Sequence, residues 1–195
     1  MEPIILASGS PRRREYFELL GLPFNIMPSR LDEGPEKDQH PRDYTQKMAV
    51  GKIKKILEQL RGRIPGWICG ADTVIAVDGE IFGKAADRET AQAMLEKLRG
   101  RAHDVVTSVA LFNGSSQTTD CRTVVSTVVF APLSDRELEW YLNTGEWQGV
   151  AGAYRIQGLG ACFVTSIQGS FSAISGLPLR EFYDMLLKSG YQYGP

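Results

Sequence analysis

Hydrophobic residues recur along the chain at two spacings, and each spacing predicts a different kind of element. The segment 4–21, "IILASGSPRRREYFELLG", begins with a short apolar strand and continues through a loop of small residues into a helix. Ser10 suits the N-cap of that helix, Pro11 its first turn and Gly21 its end. Apolar residues at helical spacing, with basic residues on the other face, predict a second helix over 44–62.

The rest of the pattern alternates between β-branched runs and amphipathic helices. Strands are predicted at 24–29, in two runs of a hairpin over 67–84 that turns at Asp78–Gly79, and at 103–114, 122–130 and 161–167. Helices are predicted at 88–99 after the cap Asp87, after the capping-box pair Ser134 and Glu137, and at 177–190, and loops at 30–43 and 169–176. This order predicts a mixed α/β sheet surrounded by helices, and we find no linker that divides residues 1–195 into independent domains.

Composition narrows the class of protein. The net charge of −1, with 23% charged and 43% hydrophobic residues, gives no reason to expect binding of nucleic acid or of a membrane surface. No apolar run approaches the roughly 20 residues that span a bilayer. The start, "MEPIILASGSP", lacks a basic leader and a long apolar stretch, so we expect no signal peptide and a cytoplasmic enzyme.

The cysteines and histidines argue against soft-metal chemistry. Cys69, Cys121 and Cys162 are far apart and odd in number, and Cys69 and Cys162 are expected to be small buried hydrophobes within strands. With only His40 and His103, a His-rich metal site is excluded. A hard ion such as Mg²⁺, held by carboxylates and phosphate, fits this composition better.

Three arginines follow the first loop, where a helix N-terminus already carries partial positive charge. Arg12, Arg13 and Arg14 are therefore either solvated surface groups or neighbours of a bound anion. The preceding small residues, which include Ser8 and Ser10, let backbone N–H groups and hydroxyls approach such an anion. This loop is our first candidate phosphate site.

Asp72 lies inside the apolar run "WICGADTVIAV", where an unpaired buried carboxylate would be costly. It needs a cation, a metal or hydrogen-bond donors, unless it stands in a loop between two short strands. Lys84 is a possible partner, because the hairpin can bring it back alongside, although an isolated lysine is most often solvated. The sequence "GEIFGKA" is not a P-loop, since its glycine spacing is one residue short and Ala85 replaces the hydroxyl residue.

Two further residues have both ordinary and functional interpretations. Lys52 belongs to a basic helix face, which is usually just solvated. It gains significance only if that face meets Arg12, Arg13 and Lys84. Glu33, in the polar loop, is either a solvated acid or a metal ligand. Together these residues suit a polyphosphate with Mg²⁺, with Asp72 as general base or metal ligand.

Several of these segments resemble the Maf nucleotide pyrophosphatases. They are spread in order along nearly the whole chain: "LASGSPRR" (6–13), "GADT" (70–73), "GEIFGKAAD" (79–87), "AGAYRIQGLG" (151–160) and "SGLPL" (175–179). The resemblance implies a Maf/Ham1 (inosine triphosphatase-like) fold, with an elongated twisted mixed sheet, flanking helices and a deep cleft between two lobes, commonly as a homodimer. It also implies hydrolysis of a nucleoside triphosphate to the monophosphate and pyrophosphate, with Mg²⁺ or Mn²⁺.

The resemblance assigns roles to individual residues. Asp72 matches the family's proposed general base, and Glu33 matches a suspected metal ligand that would act with it. The matches to phosphate-binding positions are Ser8, Ser10, Arg12, Arg13, Lys52 and Lys84. Arg12, Thr73 and Gln157 match positions associated with base specificity, and Asp72-Thr73 with Gln157 sides with the branch acting on dTTP, UTP and some modified uridine nucleotides. Ala85 and Val150 depart from the common Pro and Lys but remove no proposed catalytic group.

Two other functions stay open at this point. One is a nucleotide-binding regulator of septum formation without significant turnover, although Asp72, Lys52 and Lys84 favour an enzyme. The other is a pyrophosphatase of different specificity, acting on 7-methyl-GTP or a damaged purine triphosphate. The sister branch for 7-methyl-GTP carries Gln after the Asp, so Thr73 weighs against that substrate.

Overall fold

The computed structural model describes residues 1–31 and 39–194, which form a mixed sheet with helices packed on it. The strands are β1 Ile4–Leu6, β2 Phe24–Ile26, β3 Trp67–Val77, β4 Glu80–Phe82, β5 Ala102–Asn113, β6 Thr118–Phe130 and β7 Val164–Gln168. The helices are α1 Pro11–Leu19, α2 Pro41–Gln59, α3 Arg88–Leu98, α4 Asp135–Thr144, α5 Phe171–Ile174 and α6 Leu179–Lys188, with a 3₁₀ turn at Leu159–Phe163.

The sheet order is β2-β1-β3-β5-β6-β7, with β4 paired to β3 at one side. β1 pairs in parallel with both β2 and β3, whereas every pairing from β3 onward is antiparallel. The predicted mixed α/β class with flanking helices is therefore confirmed. β3 is the central strand of this arrangement, since it pairs with β1, β4 and β5.

Alternation along β3 places helices on both faces of the sheet. Trp67, Cys69 and Ala71 pack in one core with residues of α1 and α6. Ile68 packs on the opposite face with residues of α2. Gly70 lies on the α2 face, where a Cβ would come within 2.3 Å of the Ala49 carbonyl oxygen, so the close approach of α2 to β3 requires glycine. Asp72 continues the α2 face and Thr73 the opposite one.

A third core lies beyond these two. Its residues come from the distal part of β3, from β4, β5 and β6, from α3, α4 and α5, and from the segment 147–163. Tyr141, Phe130 and Phe163 are fully buried in it, with ring centroids 5.0 Å apart for Tyr141–Phe163 and 5.8 Å apart for Phe130–Phe163. This core fixes the glycine-rich segment, residues 145–160, which follows α4.

Local sequence signals account well for the helix starts and the hairpin. Asp87 accepts a hydrogen bond from the Thr90 amide at 2.8 Å, and Ser134 and Glu137 form the predicted capping box. Asp78 and Gly79 turn the β3–β4 hairpin with φ of +51° and +80°, as a two-residue type I′ turn requires. Ser10 occupies the N-cap position of α1, but its side chain makes no capping hydrogen bond.

Four sequence-based expectations need correction. Residues 161–163, predicted as strand, belong to the 3₁₀ turn, and β7 begins only at Val164. The predicted loop 169–176 contains the short helix α5, capped by Ser170. Helix α2 begins three residues before the predicted start, because His40 and Pro41 provide its cap and first turn. Cys162 is exposed rather than buried, whereas Cys69 is buried as expected, with the pKa of its thiol raised to about 12 by burial.

Candidate active site

A cleft of about 990 Å³ opens at the centre of the sheet and gathers nearly all the predicted functional residues. Its walls come from the loop between β1 and α1, from α2, from the middle of β3, from the end of the β4 hairpin and from the segment 146–158. The predicted residues that line it are Ser8, Ser10, Arg12, Arg13, Lys52, Asp72, Thr73, Lys84 and Gln157. Glu33 lies outside the described residues.

Asp72 and Lys52 form a buried ion pair on the α2 face of β3. The Lys52 Nζ atom lies 2.7 Å from Asp72 Oδ1 and donates a second hydrogen bond to the Ala71 carbonyl at 3.2 Å. The two side chains are only 5% and 8% exposed. The cation that sequence reasoning offered to Asp72 was Lys84, whereas the structure shows Lys52 in that position. Pairing that depends on the packing of a helix against a strand far away in sequence carries no local signal.

Arg13 ties the first loop to two other parts of the cleft. Its Nη1 donates to Ser8 Oγ at 2.9 Å, and its Nε donates to the Gly176 carbonyl at 2.9 Å. Its Nη2 lies 3.4 Å from Thr73 Oγ1, which is also 3.0 Å from the Thr107 hydroxyl. Arg13 is buried, so much of its guanidinium organises the protein itself.

The three consecutive arginines have three different environments. Arg13 is buried in the network just described, whereas Arg14 points to solvent and pairs with Glu18 one helical turn later. Arg12 lines the cleft and has no hydrogen-bond or ion-pair partner within residues 1–31 and 39–194. Burial lowers the pKa of Arg12, and the nearby positive charges of Arg13 and Arg155 lower it further. A cation in this setting favours an incoming anion.

Lys84 lines the cleft because backbone contacts hold Gly83 and Lys84 against the glycine-rich segment. A β-bridge joins Lys84 to Ala151, and the Gly152 amide donates to the Gly83 carbonyl at 2.9 Å. Gly152 has φ of +65°, and a Cβ there would come within 2.3 Å of the Ile75 side chain. Lys84 and Gln157 are both exposed.

Sequence reasoning did not single out three other residues of the cleft, which are Glu146, Tyr154 and Arg155. The Glu146 carboxylate accepts hydrogen bonds from the Leu159 and Gly160 amides at 3.1 and 3.3 Å, which folds the glycine-rich segment into a closed loop. The Tyr154 hydroxyl lies 2.8 Å from Nε2 of the buried His103. These residues lie inside the motif "AGAYRIQGLG" or just before it, so the motif was the available signal.

The charge of the cleft differs from that of the whole chain. Among the described residues that line it, six are cationic and three are acidic, although the protein has a net charge of −1. The cleft is therefore a local positive site, suited to a polyanion.

The described residues contain no group of three or more His, Cys, Asp or Glu side chains placed to hold a metal ion. Asp72 is the one buried carboxylate among the described lining residues. Mg²⁺ commonly binds through one or two carboxylates together with substrate phosphates, so this donor set fits an ion that is bound jointly with a polyphosphate.

None of the described helices is long and apolar enough to cross a bilayer.

Curated relatives match this chain along nearly its whole length. It is 40% identical over 191 residues to the dTTP/UTP pyrophosphatase of Symbiobacterium thermophilum, covering 98% of this chain and 96% of that protein. It is 41% identical over 186 residues to the dTTP/UTP pyrophosphatase of Escherichia coli O6:K15:H31 (strain 536), covering 95% and 92%. A solved structure of the Staphylococcus aureus Ham1 protein has a TM-score of 0.46 and 15% identity, over 67% of this chain and 73% of that chain.

The family assignment rests on the sequence matches. The family model described as Maf-like protein matches residues 3–189, a span that includes every described element from β1 to α6. The chain therefore belongs to the Maf-like protein family.

Proposed function

We propose that this protein is a nucleoside triphosphate pyrophosphatase that hydrolyses dTTP and UTP to the monophosphate and pyrophosphate. The observation that carries the proposal is the position of the buried Asp72–Lys52 pair in a cleft whose other walls carry Arg12, Arg13 and Lys84. The names of the relatives, which are full-length matches at about 40% identity, support the same reaction and substrates.

The positive walls of the cleft would bind the triphosphate chain. Arg12, without a partner among the described side chains, and the exposed Lys84 approach from different segments, so an anion between them is attracted from two sides. Ser8 Oγ accepts hydrogen bonds from Arg13 and from the Ser10 amide at 3.3 Å, so its own hydrogen can be donated to a phosphate oxygen. The cations would stabilise the charge that develops as the anhydride bond breaks.

Asp72 is the group that we assign to the attacking water. Its carboxylate would orient the water and accept its proton while the water oxygen forms a bond to one phosphorus of the α–β anhydride and the bond from that phosphorus to the bridging oxygen breaks. Lys52 would hold that carboxylate in place and neutralise its charge in the protein interior. Proton acceptance, substrate attraction and leaving-group stabilisation are thus supplied by different residues.

A divalent cation, Mg²⁺ or Mn²⁺, would be held by Asp72 together with substrate phosphate oxygens, with Glu33 as a second proposed ligand from outside the described residues. When bound, such an ion would neutralise phosphate charge and favour cleavage of the anhydride. If Asp72 is such a ligand, Asp72→Asn should weaken the binding of Mn²⁺ in the presence of pyrophosphate. Calorimetry measures this affinity.

Base recognition is assigned to Thr73 and Gln157, which line the same cleft, together with Arg12. A Gln side chain can donate and accept at once, which matches the edge of uracil or thymine. The Thr73 hydroxyl is already within reach of Arg13 and Thr107, so Thr73 would act mainly by fixing the shape of the wall.

A panel of canonical nucleoside triphosphates and 7-methyl-GTP, with Mg²⁺, tests the proposal. We expect dTTP and UTP to be turned over fastest, and Asp72→Asn to abolish turnover while pyrophosphate still binds. Glu80→Gln is the matched control, because Glu80 is an exposed acid of the same hairpin that pairs with Lys97 away from the cleft. Preferred turnover of 7-methyl-GTP would contradict the assigned base. Tight nucleotide binding without turnover of any substrate would favour a regulator of cell division instead.

We also propose that the enzyme is cytoplasmic and acts as a homodimer, because the Maf family it resembles commonly does. Sedimentation velocity at micromolar concentration tests the second point, for which we expect a species of twice the 21.6 kDa chain mass. A single species at the chain mass over the whole concentration range would contradict it.

A further inference from the structure

We propose that Arg155 is a further substrate-binding residue, which holds the phosphate chain of the triphosphate against Arg12 from the opposite segment of the cleft. The inference rests on the proposed function and extends it. Sequence reasoning assigned no role to Arg155, and the role follows from its contacts.

The first step is that Arg155 is held in place before any ligand arrives. Its backbone amide donates to the Tyr141 hydroxyl at 3.0 Å, and its Nε donates to the Glu146 carbonyl at 3.0 Å. Its Nη2 lies 3.4 Å from the Gln148 carbonyl. On the other side, a Cβ at Gly160 would lie 2.6 Å from the Arg155 carbonyl oxygen, so the backbone is tightly enclosed there. A side chain ordered in advance loses little freedom on binding.

Neither of these side-chain contacts brings a negative charge to Arg155. Both side-chain acceptors are neutral carbonyl oxygens, and no carboxylate of the described residues forms an ion pair with Arg155. The neighbouring Glu146 carboxylate is directed to the Leu159 and Gly160 amides instead. A guanidinium carries five N–H donors, and only two of them have these partners. The remaining donors, on a half-buried side chain that lines the cleft, can serve a ligand.

Arg155 and Arg12 line the same cleft from different segments of the chain. Arg12 extends from the first turn of α1, whereas Arg155 belongs to the glycine-rich segment. Two guanidinium groups that face one cavity repel each other, and an anion between them converts repulsion into attraction to both. Uracil and thymine are neutral, so we expect the phosphate chain rather than the base to bind between the two guanidinium groups.

Calorimetric titration of the full-length protein with pyrophosphate, at constant Mg²⁺, measures this role directly. For Arg155→Gln we expect the Kd for pyrophosphate to rise about tenfold or more, as the loss of a hydrogen bond to a charged group implies. Arg136→Gln is the control, because Arg136 is an exposed arginine of α4 outside the cleft, and its Kd should stay within twofold of the unsubstituted protein. Arg155→Lys keeps the charge but loses the planar fork, and we expect an intermediate rise of about threefold.

A second readout separates ligand binding from a structural role. Competitive inhibition by uridine, which carries no phosphate, should be unchanged in Arg155→Gln. Unaltered pyrophosphate binding in Arg155→Gln, or equal weakening for uridine and pyrophosphate, would overturn the inference. If Arg155→Gln does not fold, equal pyrophosphate affinity of Arg155→Lys and the unsubstituted protein overturns it. Hydrolysis of UTP together with unchanged pyrophosphate binding would refute only the role of Arg155, whereas pyrophosphate binding without hydrolysis of any triphosphate would refute only the proposed function.

Discussion

Replacing Lys52 by methionine removes one charge from the buried pair at the centre of the cleft. At the 2.7 Å separation of Lys52 Nζ and Asp72 Oδ1, the attraction is roughly 6 kcal/mol at an effective dielectric constant of about 20. The cost of burying both charges offsets much of this energy. Removal of one partner of a buried ion pair nevertheless typically costs about 3–5 kcal/mol, because it takes away the attraction but not the cost of burying the remaining charge. We therefore expect Lys52→Met to lower the free energy of unfolding by about 3–5 kcal/mol.

Lys55→Met provides a matched control on the same helix. Lys55 pairs with Glu58 at 2.9 Å, but the side chains of Lys55 and Glu58 are 44% and 65% exposed. Those of Lys52 and Asp72 are only 5% and 8% exposed. Screening by solvent limits such a pair to about 1 kcal/mol or less. Urea unfolding at pH 7.5, followed by fluorescence of the buried Trp67, measures both variants. Equal small losses for Lys52→Met and Lys55→Met would refute the assignment of a buried, coupled pair.

Three further predictions concern other parts of the fold. Burial lowers the pKa of His103 from 6.5 to about 4, so the unfolded chain binds a proton that the folded protein does not, and stability falls as the pH drops through that range. Between pH 7.5 and pH 5 the free energy of unfolding should fall by about 2 kcal/mol for this reason. His103→Phe should remove this pH-dependent loss in urea titrations at the two pH values. Gly152→Ala should destabilise the protein by roughly 2–4 kcal/mol in the same assay, whereas Gly149→Ala, with a similar positive φ but open space around its Cβ, should cost only about 1 kcal/mol; equal losses would contradict the packing argument. Asp87→Ala should lower the free energy of unfolding through loss of the α3 cap, and no change would show that the cap is dispensable.

Much of the fold could be predicted from local patterns, because its signals are local. The Asp78–Gly79 turn, the Asp87 cap and the capping box at Ser134 each depend on residues within four positions of one another, and the structure has all three. The short segment 161–163 was misassigned because its apolar run suits a strand, whereas hydrogen bonds from the Leu159 and Gly160 amides to Glu146 fold it into a 3₁₀ turn. Such a long-range acceptor leaves no trace in the local pattern.

The candidate site likewise contains residues that local sequence signals reveal and others that only long-range packing brings into the cleft. The embedded carboxylate of Asp72 and the arginines at the start of α1 are conspicuous in the sequence, because each violates a local physical preference. Sequence reasoning offered Lys84 as the partner of Asp72 and did not foresee Lys52, which reaches Asp72 only through the packing of α2 on β3 that Gly70 permits. Arg155 was missed because nothing in its sequence neighbours shows that it lines the same cleft as Arg12.

The identity of the products tests the central claim most directly. We would incubate UTP and Mg²⁺ with the full-length protein and follow the reaction by ³¹P NMR, with Asp72→Asn in parallel. We expect UMP and pyrophosphate to appear in equal amounts with the unsubstituted protein and neither to appear with Asp72→Asn. Accumulation of UDP and orthophosphate, or undiminished release of pyrophosphate by Asp72→Asn, would contradict it.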